Sequence, residues 1–426
     1  MEQDLLIKNL LGVVKQDVFP ALGCTEPIAV AYASAMARKY FYGTIDSMFI
    51  SVSKNIYKNG RFVIIPNTNE WGLDLAGALG FLAGNAESGF MVLENIDERL
   101  IESAHDMLSS GKVKVQYLKD FPDVYVNVKV SGADCVVEVE LKDSHTNISQ
   151  ITVNGQVVYE TEKTINETMS LDFLEEITIK DIIRVCENIP LEELEFVEDG
   201  IEMNKKAAKM GMSEQIGLNI GHTYNKLLKD NRLSLDAPTR ARILTAAACD
   251  GRMSGGNFPV MASGGSGNQG LGVVLPILVV AEEQKVEREK LLRAVFLAHL
   301  INRYVKTFTG KLSGMCGCAI AAGIGASAGI AWMLGGSDEE IYGACTNMLA
   351  NLTGMICDGA KETCALKLST SASEAIISAY LASNGVVVKK NVGIVGETVE
   401  DTIRNVGVLA RNSFSKVDDL IIGMNN

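Results

Sequence analysis

The sequence predicts an α+β protein: a large, mainly helical domain with a smaller α+β domain inserted near its start, containing an antiparallel or mixed sheet. Three observations carry this. Period-two alternation of apolar residues is confined to about 44–165, helical patterning runs from about 178 to the C-terminus, and a helical stretch precedes both.

Residues 5–40 read as helix, broken at Pro20 and Gly23 before an almost wholly apolar run from Ile28 to Ala37. The alternation then begins with Phe49-Ile50-Ser51-Val52-Ser53, and Phe62-Val63-Ile64-Ile65 reads as a short apolar strand. Val124, Val126, Val128 and Val130 repeat every second residue, as do Val137, Val139 and Leu141. Asn154-Gly155, between two β-branched runs, marks a tight hairpin. Helical stretches near 74–87 and 97–109 interrupt these strands. Ile182, Ile183, Val185, Cys186 and Ile189 then form one helical face, and no strand pattern follows. The expected division is 1–42 with 175–426 as the helical domain and 43–174 as the insert.

The chain has 426 residues, 47% hydrophobic and 21% charged, which excludes a disordered polypeptide. With 39 Lys+Arg against 52 Asp+Glu, the net charge of -13 argues against nucleic acid and anionic membrane surfaces. The 40 glycines and 6% aromatics point to close helix packing through small residues. Two uncharged runs, Leu312–Ser337 and Met253–Ala281, are long enough to cross a bilayer. Their small residues and prolines suit buried helices better. The first apolar stretch, Leu10 to Val14, is too short for an export signal, so the cytoplasm is the expected compartment. There the 9 cysteines are thiols or metal ligands rather than disulfides.

Four motifs carry candidate chemistry. In Gly23-Cys24-Thr25-Glu26-Pro27, Thr25 can cap the following helix, leaving Cys24 at a helix start where a thiol's pKa falls. Such a thiolate serves as nucleophile, base or ligand; a buried filler is the plain alternative. The second motif is Met315-Cys316-Gly317-Cys318 with Cys357-Asp358-Gly359-Ala360-Lys361-Glu362-Thr363-Cys364. Gly359 favours a loop that folds Cys357 and Cys364 toward one centre, and only one of Cys316 and Cys318 is expected to ligate. Convergent thiolates mean zinc or an iron–sulfur cluster, and the spacing fits neither a zinc ribbon nor a ferredoxin.

The third motif, Ser263-Gly264-Gly265-Ser266-Gly267-Asn268-Gln269, opens an apolar helix and offers free backbone N–H groups to a carboxylate or phosphate. The fourth, Ser144-His145-Thr146-Asn147, can bring His145 and Asn147 to a substrate between domains, as can the polar loop around Asn67. A capped surface turn explains these equally well. Cys135, Cys186, Cys249 and Cys345 sit in strand or helix patterns and read as packing.

Taken in order, Gly-Cys-Thr-Glu-Pro, His-Thr-Asn-Ile, Gly-Ser-Gly-Asn-Gln-Gly and Gly-Met-Ile-Cys-Asp-Gly-Ala-Lys resemble the L-cysteine desulfidase family, which is related to the alpha chain of iron–sulfur L-serine dehydratases. The resemblance spans the whole chain. It implies a [4Fe–4S] cluster held by Cys316, Cys357 and Cys364 with one iron open, Cys24 as base or resting fourth ligand, and Thr25, Glu26, Asn67, His145, Asn147, Ser263, Ser266, Gly267, Asn268 and Gln269 around L-cysteine. Cys318 departs from the family pattern. Iron–sulfur serine dehydratase, a pyridoxal-phosphate lyase and a non-enzymatic metal or membrane protein are the alternatives. Oligomeric state, a homo-oligomer included, stays open.

Overall fold

The computed structural model describes residues 3–161, 171–213, 215–310 and 312–424. One mixed sheet lies in the first part of the chain. Its strands are β1 (Ile45–Ser53), β2 (Val113–Leu118), β3 (Tyr125–Gly132), β4 (Val136–Lys142), β5 (Ile148–Val153) and β6 (Gln156–Glu160), in the order β2-β1-β3-β4-β5-β6. Only β1 and β2 pair in parallel. The alternation read from the valines holds: Val126, Val128 and Val130 in β3, with Val137, Val139 and Leu141 in β4, turn to the same core. At the β5–β6 hairpin, Asn154 and Gly155 take φ of 51° and 78°, the left-handed pair a two-residue type I′ turn requires.

Phe62–Ile65 is not a strand. Only Ile64 forms a bridge, to Trp71, because Pro66 and the Asn67–Asn69 turn end the run at once. Helices Leu73–Ala83 and Glu98–Ser109 lie where helical stretches are read.

The buried apolar side chains fall into two clusters. One joins the sheet to helices Thr25–Tyr40 and Leu73–Ala83; the other joins Gln3–Asp17 to the helices after residue 171. The side chains therefore do not change partners at residue 42, because Thr25–Tyr40 packs on the sheet. Its approach to Leu73–Ala83 is so close that a Cβ on Gly80 would strike the Ala31 carbonyl.

The helical part explains the glycine and alanine content. Helix Ala321–Met333 is buried almost throughout, and Gly325 and Gly329 rest on the carbonyls of Ala298 and Ala294 in helix Arg288–Thr309. The uncharged run Leu312–Ser337 thus contains a 13-residue core helix. Among the described residues no helix is long and apolar enough to cross a membrane.

One small ladder does occur late in the chain. Val260–Met261 pairs with Pro20–Ala21, and further backbone bonds run from Ala262 to Phe19 (2.8 Å) and from Gly265 to Asp17 (3.2 Å). This stitch sets the Gly23–Glu26 turn beside the Ala262–Gln269 loop.

Candidate active site

The two cores meet around a cavity of about 420 Å³. Cys24, Thr25 and Glu26 line one side, His145 and Asn147 a second, and Ser266, Asn268 and Gln269 a third. Cys316, Cys357 and Cys364 complete the wall, with Cys318 beside them. Four motifs far apart in sequence therefore face one space.

Cys24, not Thr25, occupies the cap position of helix Thr25–Tyr40, and its side chain makes no capping bond. Instead its Sγ donates to Glu26 Oε2 at 2.9 Å. Thr25 Oγ1 donates to the same oxygen (3.1 Å), and Asn59 Nδ2 to Glu26 Oε1 (2.9 Å). The lowered thiol pKa expected at a helix start is not found. Burial, then the Glu26 charge, pushes the Cys24 thiol well up, outweighing the nearby Arg252 cation. Glu26 behaves oppositely: burial opposes its charge, but His145 and the bonds from Cys24 and Asn59 hold its pKa below the usual range. The result is an ionised, buried carboxylate with a protonated thiol turned onto it.

The cysteine wall is built by two loops locked together. Cys316 N donates to the Met355 carbonyl (2.9 Å), Cys357 N to that of Gly314 (2.8 Å), and Met315 bridges Ile356. Residues 357–363 form the expected loop, and Cys364 starts helix Cys364–Ala382. Gly359 is required there: at φ 96°, a Cβ would stand 2.5 Å from the Lys58 carbonyl oxygen. Asn59 completes the joint, because its carbonyl accepts from Ala360 N (3.3 Å) and its Oδ1 lies 3.8 Å from Cys357 Sγ.

Among the described residues no three His, Cys, Asp or Glu side chains are gathered closely enough for a single ion. The three thiols nevertheless feel one another. Burial, then the charges of Cys316 and Cys357, pushes Cys364 up to about 12, and burial with Cys316 raises Cys357. A hydrogen bond with Cys318, then burial, raises Cys316. Lys58 and Lys367 set positive charge beside them. A mononuclear site needs sulfurs about 2.3 Å from one point, whereas a cluster of several irons takes thiolates around a wider nest. Three thiols beside two cations are a donor set of the kind that thiolate-bound irons take.

Residues 87–423 match the family of serine dehydratase alpha chains. The chain belongs to that family. A UPF0597 protein of Clostridium botulinum (strain Okra / Type B1) is 50% identical over 425 residues, covering 100% of this chain and 98% of its own. One from Caldanaerobacter subterraneus subsp. tengcongensis is 42% identical over 424 residues, covering 99% and 98%. One from Alkaliphilus oremlandii is 42% identical over 420 residues, covering 98% and 97%.

Within this serine dehydratase alpha chain scaffold, three residues expected at the site stand elsewhere. Ser263 is fully buried, and its hydroxyl is taken up by His299 Nδ1 (2.8 Å) and Asn302 Nδ2 (2.9 Å). Burial lowers His299 to about 3, so the ring is neutral, accepting from Ser263 while Asn302 donates to it. Gly267 lies behind the wall, where a Cβ would stand 2.6 Å from the Arg252 guanidinium carbon. Asn67 takes φ 67° and donates to the Leu93 and Glu94 carbonyls at 3.4 and 3.3 Å, away from the cavity. Asn147 lines the cavity but also ties its own turn, donating to the Lys142 carbonyl (2.9 Å).

Arg252 is a site residue not singled out from the sequence. It is the lone cation in the buried stretch Thr245–Met253 of helix Ala237–Met253, which is itself a signal. Asn59 owes its place at the site to the docking of two loops.

Proposed function

We propose that this protein is a lyase that eliminates sulfide from L-cysteine, giving hydrogen sulfide, pyruvate and ammonia. Cys316, Cys357 and Cys364 would hold a [4Fe–4S] cluster. The observation that carries this reading is the meeting of those three thiols with the Cys24–Glu26 pair and the glycine loop around one cavity. When bound, the cluster supplies a Lewis acid for the leaving sulfur.

The chain's own residues account for the rest. Helix Gly267–Gln284 begins at Ser266 without a side-chain cap, leaving backbone N–H groups for the substrate carboxylate. Cys24 is the proton acceptor toward the substrate's α-carbon. Because the thiol rests protonated, the two transfers are coupled: as Sγ takes the α-proton, its own proton passes to the ionised Glu26 Oε2 along the 2.9 Å bond. The Cβ–S bond then breaks, and the released aminoacrylate hydrolyses to pyruvate and ammonia. The mostly buried wall keeps the thiol and carboxylate from exchanging protons with bulk solvent.

The family match favours one further reading, dehydration of L-serine across the same bond. A Schiff-base lysine finds no support. The cavity lysines are engaged, Lys306 with the Gly264 carbonyl and Lys367 with Asp358 and the Ile356 carbonyl. The test is anaerobic iron–sulfur reconstitution followed by parallel turnover of L-cysteine and L-serine. Sulfide and pyruvate released together from cysteine uphold the proposal; pyruvate from serine alone replaces it with the dehydratase.

A further inference from the structure

Arg252 is the largest of the fully buried side chains, 2% exposed, and it lines the cavity. Its Nη1 donates to Asn268 Oδ1 at 2.8 Å and its Nη2 to the Gly23 carbonyl. Its Nε is buried and has no acceptor among the described residues. Two other cations around the cavity meet carboxylates: Arg303 lies 3.4 Å from Asp17, and Lys367 pairs with Asp358. Among the described residues Arg252 faces neutral acceptors only. A guanidinium buried without a counter-charge is unfavourable unless an anion joins it.

Its neighbours point the same way. The guanidinium packs on Gly267, the first residue of an 18-residue helix whose N-terminus has no side-chain cap. Gln269, 4% exposed and in the next position but one, has a buried Oε1 with no donor. An excess of donors and positive charge thus stands beside one unsatisfied acceptor. An α-amino acid carries the complementary groups on a single carbon.

We propose that Arg252 and the start of helix Gly267–Gln284 together bind the substrate's α-carboxylate, and that Gln269 Oε1 receives its α-ammonium. This rests on the amino-acid lyase reading above and adds the residue that selects for a free carboxylate.

The test uses anaerobically reconstituted protein and isothermal titration with L-alanine, which has both groups but nothing to eliminate, and with L-alanine methyl ester. Wild type should bind the acid about 100-fold more tightly than the ester. Arg252→Gln should weaken the acid by about the same factor and leave the ester unchanged; Arg252→Lys should fall between, keeping charge but not the fork. In turnover, R252Q should raise KM for L-cysteine far more than it lowers kcat.

Equal binding of acid and ester by wild type, or no binding of L-alanine, overturns the proposal without any variant. Equal weakening of acid and ester in R252Q overturns it as well, marking a purely structural arginine. The two proposals fail separately: discrimination between acid and ester without sulfide release refutes the lyase reading alone, and sulfide release with R252Q indistinguishable from wild type refutes this one alone.

Discussion

Lys58 and Asp418 form an ion pair at 2.5 Å with both side chains 2% exposed. It joins helix Lys54–Gly60, which carries Asn59 to the cysteine wall, to the last described helix, Ser415–Met424. Removing one member of a buried pair strands the other, at a cost of about 3–5 kcal/mol. The two halves are not equivalent. Lys58 also feels the Cys357 and Glu26 charges, so Asp418→Asn leaves it partly compensated, near the lower figure. Lys58→Met strands Asp418 and should lie near the upper one. Replacing both, K58M with D418L, should recover stability to within about 1 kcal/mol of wild type, because two apolar groups need no desolvation. Urea unfolding of the four proteins, followed by circular dichroism and tryptophan fluorescence with coincident transitions required, measures this cycle. Single variants costing less than about 1 kcal/mol, or a double variant as unstable as the sum of the singles, would refute the reasoning.

His299 sets a pH dependence. Its folded pKa of about 3 lies below the unfolded 6.5, so the unfolded state binds the proton more readily. Its stabilising contribution is complete above about pH 6.5 and is lost toward pH 3 at about 1.4 kcal/mol per pH unit; His299→Gln should flatten that slope in urea titrations at pH 4 to 7, and an unchanged slope counts against a buried neutral ring. Gly80→Ala drives a Cβ into the Ala31 carbonyl and should destabilise by about 3 kcal/mol or more, whereas Gly155→Ala, with nothing near, should cost only the left-handed strain of about 1 kcal/mol. Equal costs would show that the helices relax. Cys24→Ala should keep its iron and stop turnover; loss of iron as well would make Cys24 a ligand.

Local chemistry was legible where the cause is local. Asn154-Gly155 names its own turn, alternating valines name the buried sheet face, and Gly359 breaks the helix that would have separated Cys357 from Cys364. Helix Thr25–Tyr40 carries no such local sign: it is apolar on nearly every side, so its packing on the sheet is set by the fold and not by its own pattern. The thiol of Cys24 misled for a similar reason. A helix start lowers a thiol's pKa, but Glu26 and burial act through the folded structure and reverse the sign. Ser263 looked like a ligand contact from its glycine neighbours; His299 and Asn302, on a later helix, claim its hydroxyl instead.

The central claim is that the thiols of Cys316, Cys357 and Cys364 together hold an iron–sulfur cluster. Its most direct test is metal and acid-labile sulfide analysis of anaerobically reconstituted wild type, C316A, C357A and C364A. The account requires about four irons and four sulfides per wild-type chain, and loss of both in each variant. A single zinc in wild type, or undiminished iron in any of the three variants, would contradict it.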